Sequence, residues 1–323
     1  MGVLWNSIQS VLVVVLIMIL GFVLRRAGWF DDKFAGTISK FIKNIALPAS
    51  IFVSVLSRLT RGQLGSFAGY LAYAFLAVII GYLIAFALVK IMRVRPGRKG
   101  IFINAVVNAN TIFIGLPLNI ALFGEKSMTY FLVYYIVNTV STWAFGVFLI
   151  SNDDPTKSKE KTHNKIDWKK VIPMPLVGFL VALIFLLLNI PIMKVSFVSS
   201  TLTYVGNLVT PLSLIYIGIV LADAGLKSIR FDRDTIVALI GRFILSPIIM
   251  ILVLMVAGNL GASFPTLASQ TLIVQSATPM LAVLPILANE AHGDVEYATN
   301  IVTTSTVLFI VVVPILMTLI QYI

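Results

Sequence analysis

The sequence predicts an all-α polytopic membrane protein: ten transmembrane helices in a 5+5 inverted repeat, with the fourth and ninth helices broken and crossed. Three observations predict it. The composition is too apolar for water, the basic residues alternate between loops, and the same short motifs recur in both halves.

Of 323 residues, 59% are apolar and 11% charged, and the mean hydropathy is +1.00. Soluble domains run roughly 45–50% apolar and about 25% charged, so a soluble fold of this length could not bury the excess. The net charge of +11 sits mainly in short loops between apolar runs. That pattern fits a lipid bilayer as the main partner and not nucleic acid. The lack of cysteine excludes disulfides, thiolate metal sites and cysteine nucleophiles. Two histidines, His163 and His292, do not build a metal centre, and no cofactor is expected. No HExxH, GxSxG, Walker A or GxGxxG context occurs, so an enzyme is not expected either.

A bilayer core about 30 Å thick takes roughly 20 mainly apolar residues per helix, because each backbone N–H and C=O must be satisfied within the segment. Ten segments qualify: 5–24, 36–57, 66–89, 100–123, 129–150, 171–190, 198–221, 235–257, 265–289 and 297–321. The first has no basic region before it and no small-residue cleavage site behind it. It runs into Arg25-Arg26, so it reads as a retained helix and not a signal peptide.

Loop charge sets the orientation. The loops after the first, third, fifth and seventh segments hold Arg25, Arg26, Lys33; Lys90, Arg93, Arg95, Arg98, Lys99; Lys157, Lys159, Lys161, Lys165, Lys169, Lys170; and Lys227, Arg230, Arg233, seventeen in all. Those after the second, fourth, sixth and eighth hold four: Arg58, Arg61, Lys126 and Lys194. The loop after the ninth has none. This bias puts the odd loops in the cytoplasm and both termini outside, across a plasma membrane. The polar stretch 151–170 reads as a solvated cytoplasmic linker between a first repeat, 1–150, and a second, 171–323.

The repeat rests on motifs in matching order. Asn44-Ile-Ala-Leu-Pro48-Ala-Ser50 in the second segment answers Asn207-Leu-Val-Thr-Pro211-Leu-Ser213 in the seventh, 163 residues later. Leu116-Pro117-Leu118 in the fourth answers Leu284-Pro285-Ile286 in the ninth, and Asn138 to Thr142 in the fifth answers Thr303 to Thr306 in the tenth. Five segments per half, an odd number, force the second copy to enter upside down, which is a mark of secondary transporters.

The fourth and ninth segments carry the candidate site. Asn108, Asn110, Thr111, Gly115 and Pro117 interrupt one; Gln275, Ser276, Thr278, Pro279 and Pro285 interrupt the other. Proline removes a donor and clashes with the carbonyl four residues back, and carbonyls freed in lipid must line a protein-enclosed or watery cavity. New half-helices are expected near 115–123 and 283–290. Their positive ends, meeting at one spot, would make an anion site without fixed cations. Taken singly, each break also reads as a proline kink with Asn and Thr bonded between helices.

Asn110-Thr-Ile-Phe-Ile-Gly115-Leu-Pro117-Leu resembles the N-T-x-x-x-G-[IL]-P-L signature of the auxin efflux carrier family, which includes PIN-type auxin carriers and bacterial malate and malonate permeases. Thr278-Pro279 through Leu284-Pro285 and Ala288-Asn289-Glu290 is similar to its second signature, and Asn44 to Ser50 to its N-x-A-L-P-A stretch. The resemblance implies a scaffold from segments one, two, six and seven, with breaks at Asn44, Pro48, Asn207 and Pro211. It implies a moving transport domain from segments three to five and eight to ten. It matches Asn110 to the family asparagine near the substrate carboxylate and Pro117 and Pro285 to the crossover prolines, and it implies a homodimer through the scaffold. The linker is short, as in the bacterial carriers, so the expected substrate is a small carboxylate such as malate.

Arg242 lies about eight residues into the eighth segment, where a charge costs on the order of 3 kcal/mol. It has three readings: snorkelling to headgroups, pairing with Asp223, or attracting the substrate carboxylate. Glu290, His292, Asp294 and Glu296 read as a solvated turn. No carboxylate occupies a midplane position, which favours uniport or exchange of an organic anion by alternating access. A sodium- or proton-coupled symporter on the same fold and an anion channel are the alternatives.

Overall fold

The computed structural model describes residues 2–156 and 173–320. The lysines at 157–170 and His163, the first two residues of the sixth predicted segment and the last residue of the tenth lie outside the described residues. The described part is helical, with one isolated antiparallel bridge. Among the described residues, seven helices are long and apolar enough to cross a membrane.

In chain order the helices are α1 (Gly2–Arg26), α2 (Phe34–Arg58), α3 (Arg61–Met92), α4 (Lys99–Val107), α5 (Thr111–Phe123), α6 (Glu125–Asn152), α7 (Met174–Leu188), α8 (Ser196–Ala224), α9 (Arg233–Asn259), α10 (Thr266–Ser276), α11 (Leu284–Glu290) and α12 (Val295–Leu319). Each apolar segment of the sequence is helical. The fourth and ninth are each two helices, α4 with α5 and α10 with α11.

Four wide π-helical turns sit inside these helices: Ile42–Ala46, Thr111–Gly115, Ser141–Gly146 and Gly241–Leu245. Three start six residues before a proline, namely Pro48, Pro117 and Pro247. The ring of each would strike the carbonyl four residues back, Asn44, Phe113 or Phe243, and widening the turn accommodates it. The second half-helix of the fourth segment thus opens at Thr111, earlier than the expected 115, because the wide turn before Pro117 already belongs to it.

α1 packs along α8, and α2 along α7 and α8. These approaches are close because glycines sit at them: a methyl group on Gly178 would come 2.9 Å from Pro48 Cα, and one on Gly206 would come 2.9 Å from Ser50 Cα. α3 packs on α4, α6 and α9, and α10 on α6 and α9. Small residues at helix contacts let backbones approach where lipid supplies no hydrophobic drive.

Two networks of ion pairs tie loops together among the described residues. Arg25 bridges Asp32 (2.5 Å) and Asp223 (2.6 Å), joining the α1–α2 loop to the end of α8. Arg98, before α4, bridges Asp294 (2.6 Å) and Asp232 (2.9 Å), and Asp294 also pairs with Arg95. Asp294 accepts from Tyr297 N at 2.9 Å as the cap of α12. The 290–296 stretch is therefore not merely a solvated turn: Asp294 is 15% exposed and holds two arginines from another loop.

Candidate functional site

The two helix breaks touch. Ala109 and Met280 form the antiparallel bridge, and Asn110 N donates to Pro279 O at 2.8 Å. A side chain from a neighbouring helix holds each broken backbone. Asn138 of α6 accepts from Ala109 N (2.8 Å) and donates to Ala109 O (2.9 Å); Ser305 Oγ of α12 accepts from Met280 N (3.2 Å). Asn138 and Ser305 come from the stretches that matched between the fifth and tenth segments.

Asn110 caps α5, its Oδ1 accepting from Phe113 N at 3.2 Å. Its Nδ2 is buried with no hydrogen-bond partner. Gln275 reaches across the crossing, Nε2 donating to Gly115 O at 2.9 Å, while its Oε1 has no partner. A methyl group on Gly115 would collide with that Oε1, so a larger residue there would push the glutamine out of its present position. Ser276 and Thr278 turn inward on their own helix end, donating to Ile273 O (2.7 Å) and Gln275 O (2.9 Å). Asn108 belongs to a polar chain behind the break, bonded to Tyr82, Asn104 and Ser141. Asn44 and Asn207 are exposed and apart from the crossing, Pro211 is exposed, and Pro48 packs against Gly178.

Arg242 is fully buried. Its guanidinium donates to Val106 O (3.3 Å), to Ser276 O and to Ser246 Oγ (3.1 Å). Val106 and Ser276 stand at the C-terminal ends of α4 and α10, where carbonyls lack helical partners and the dipole is negative. One cation thus neutralises both outgoing ends. Asp223, the partner considered from sequence, is held by Arg25 instead.

The opposite, N-terminal ends face a cavity of about 70 Å³ whose wall includes Asn110, Thr111, Asn138, Thr142, Leu281 and Val283. Thr142 Oγ1, like Asn110 Nδ2, is buried without a partner. Lys43 of α2 also lines this cavity. Sequence reasoning missed Lys43, Asn138 and Thr142 as site residues. Asn138 and Thr142 were visible as a repeated motif, whereas nothing in the sequence ties Lys43 to the fourth segment. A second hollow of about 450 Å³ lies between the end of α2 and α3, α6 and α10, and carries Arg58 and Lys126.

A profile of the membrane transport protein family matches residues 6–317. The chain belongs to this family. It is the family of the auxin efflux carriers that the sequence resembles, and the match covers both helix breaks. Two archaeal proteins are similar over nearly their whole length. An uncharacterised transporter of Methanothermobacter thermautotrophicus is 24% identical over 315 residues, 96% of this chain and 97% of its own. One of Methanocaldococcus jannaschii is 24% identical over 304 residues, 94% and 95% respectively. The chain is a multi-pass membrane transport protein.

Proposed function

We propose that this transporter carries a small organic acid anion, malate-like in class, across the plasma membrane by alternating access, as a uniporter or exchanger. The observation that carries this reading is the separation of charge at the crossing. Arg242 holds both carbonyl ends. The amide end of α5, with the partnerless Asn110 Nδ2 and Thr142 Oγ1, lines a cavity. Buried donors without partners cost about 1–3 kcal/mol each, and a carboxylate would supply the missing acceptor.

We read the chain as ten spans in a 5+5 inverted repeat with both termini outside. The transport body (α3–α6 and α9–α12) moves against a scaffold (α1, α2, α7, α8). The hollow carrying Arg58 and Lys126 then opens outward, and its charge would draw anions in. The membrane potential acts on the carried charge at about 2.3 kcal/mol per charge per 100 mV.

Purified protein in liposomes tests this. Saturable counterflow of labelled malate, malonate or lactate is expected, and Asn110→Ala should abolish it with expression intact. Normal transport by both Asn110→Ala and Thr278→Ala would move the site elsewhere. Failure to carry any of the three acids would reject the substrate class.

A further inference from the structure

The cavity at the crossing has one wall that the carrier reading does not use. Lys43 comes from α2, on the second residue of the π-turn Ile42–Ala46, and is half-buried in an apolar helix. It has no hydrogen bond or ion pair among the described residues, whereas the exposed Lys40 lies three residues earlier on the same helix. Among the described residues, no acidic side chain lines the cavity that Lys43 shares with Asn110, Thr111 and Thr142. A charge held inside a span should pair or face a watery space, and here the space is the one that holds the orphan amide.

We propose that Lys43 supplies the counter-charge for the carboxylate of the carried acid, so that the anion is gripped between the ammonium of α2 and the Asn110 amide at the start of α5. The proposal rests on the carrier reading and adds a fixed cation to a site otherwise built of dipoles. The two partners divide the work. The amide and the helix end orient the carboxylate, while the ammonium selects for charge. Lys43 sits on the scaffold side and Asn110 on the transport side, so the grip spans both bodies.

Counterflow in liposomes with labelled malonate, malate and lactate separates the possibilities. For whichever acid the wild type carries, Lys43→Gln should raise KM at least tenfold with little change in kcat, and Lys43→Arg should restore it. Lys43→Gln should also lose the wild-type preference for the acid over its neutral amide as competitor. Lys40→Gln should behave as wild type. In the unmutated protein, the same acid should slow acetylation of Lys43 but not of Lys40, read by mass spectrometry; this arm stands whether or not Lys43→Gln folds. Wild-type KM and acid preference in Lys43→Gln, or acetylation of Lys43 indifferent to the acid, overturn the proposal while Asn110→Ala still abolishes counterflow. If Asn110→Ala is also normal, the carrier site itself is misplaced.

Discussion

Asn110 does two jobs with two atoms. Its Oδ1 closes the first turn of α5 and its Nδ2 is left for something the chain does not provide. A serine in its place can still cap, since serine is among the better N-cap residues, but it lacks the amide donor. Asn110→Ser should therefore melt within about 2 °C of wild type yet lose the thermal stabilisation that the proposed organic anion is expected to give wild type, measured by a dye-free melting assay in detergent. Arg242 is the opposite case, with a structural debt on both sides. Arg242→Met would leave the carbonyls of Val106 and Ser276 buried without donors, at about 1–3 kcal/mol each. A drop in Tm of several degrees, with or without ligand, is expected. An unchanged Tm would mean that those helix ends find other donors.

At the scale of the element, the wide turns decide where the chemistry points. Removing the extra residue of a π-turn rotates the helix before it by about 100° relative to the helix after it. Pro247→Ala restores the missing N–H and frees the turn Gly241–Leu245 to close into ordinary α-helix. That would swing Arg242 off its two carbonyls. Pro247→Ala should then destabilise much as Arg242→Met does, and the double variant little further, because both remove one set of contacts. Additive losses in Tm would show that proline and arginine act separately. The sequence announced these elements unevenly. The hydropathy runs found the helical segments to within a few residues, and the paired prolines found both breaks, because those signals are local. The π-turn that brings Thr111 into α5, and the placing of Lys43 beside it, depend on contacts between helices far apart in the chain. Arg242 stood out as an anomaly, yet its partners are backbone carbonyls, which every residue has and no motif marks.

For the whole molecule, the two bodies proposed above would have an electrostatic counterpart. Among the described residues the ion pairs group within the proposed bodies: Arg25 with Asp32 and Asp223 in the proposed scaffold, and Arg95, Arg98, Arg230, Asp232, Asp234, His292, Asp294 and Glu296 on the loops of the proposed transport body, with Asp154, just past α6, paired to His292. Apolar contacts between bodies can slide, while ion pairs across them would have to break at each cycle. The Arg98 network staples the loops before α4, α9 and α12 into a unit. Burial acts to raise the Asp294 carboxyl, but the Tyr297 N–H and the Arg98 and Arg95 guanidiniums together hold it below its ordinary value. At Asp232 burial is likewise outweighed, by Thr235 and Arg98. A carboxylate whose pKa falls on folding stabilises the fold fully above its unfolded pKa of about 3.9, and the gain is lost as pH falls through the folded value. Tm in detergent should therefore hold flat from pH 7 to about 5 as far as these groups go, and drop below about 4. Asp294→Asn should lower Tm at pH 7 by a few degrees, since hydrogen bonds to charged groups are worth about 1.5–3 kcal/mol, and should shrink the acid-side drop. If the network lies within a moving transport body, as proposed, Asp294→Asn should weaken that body while leaving the KM for the proposed acid unchanged. A raised KM with unchanged Tm would place Asp294 in the transport path instead of in the frame that carries it.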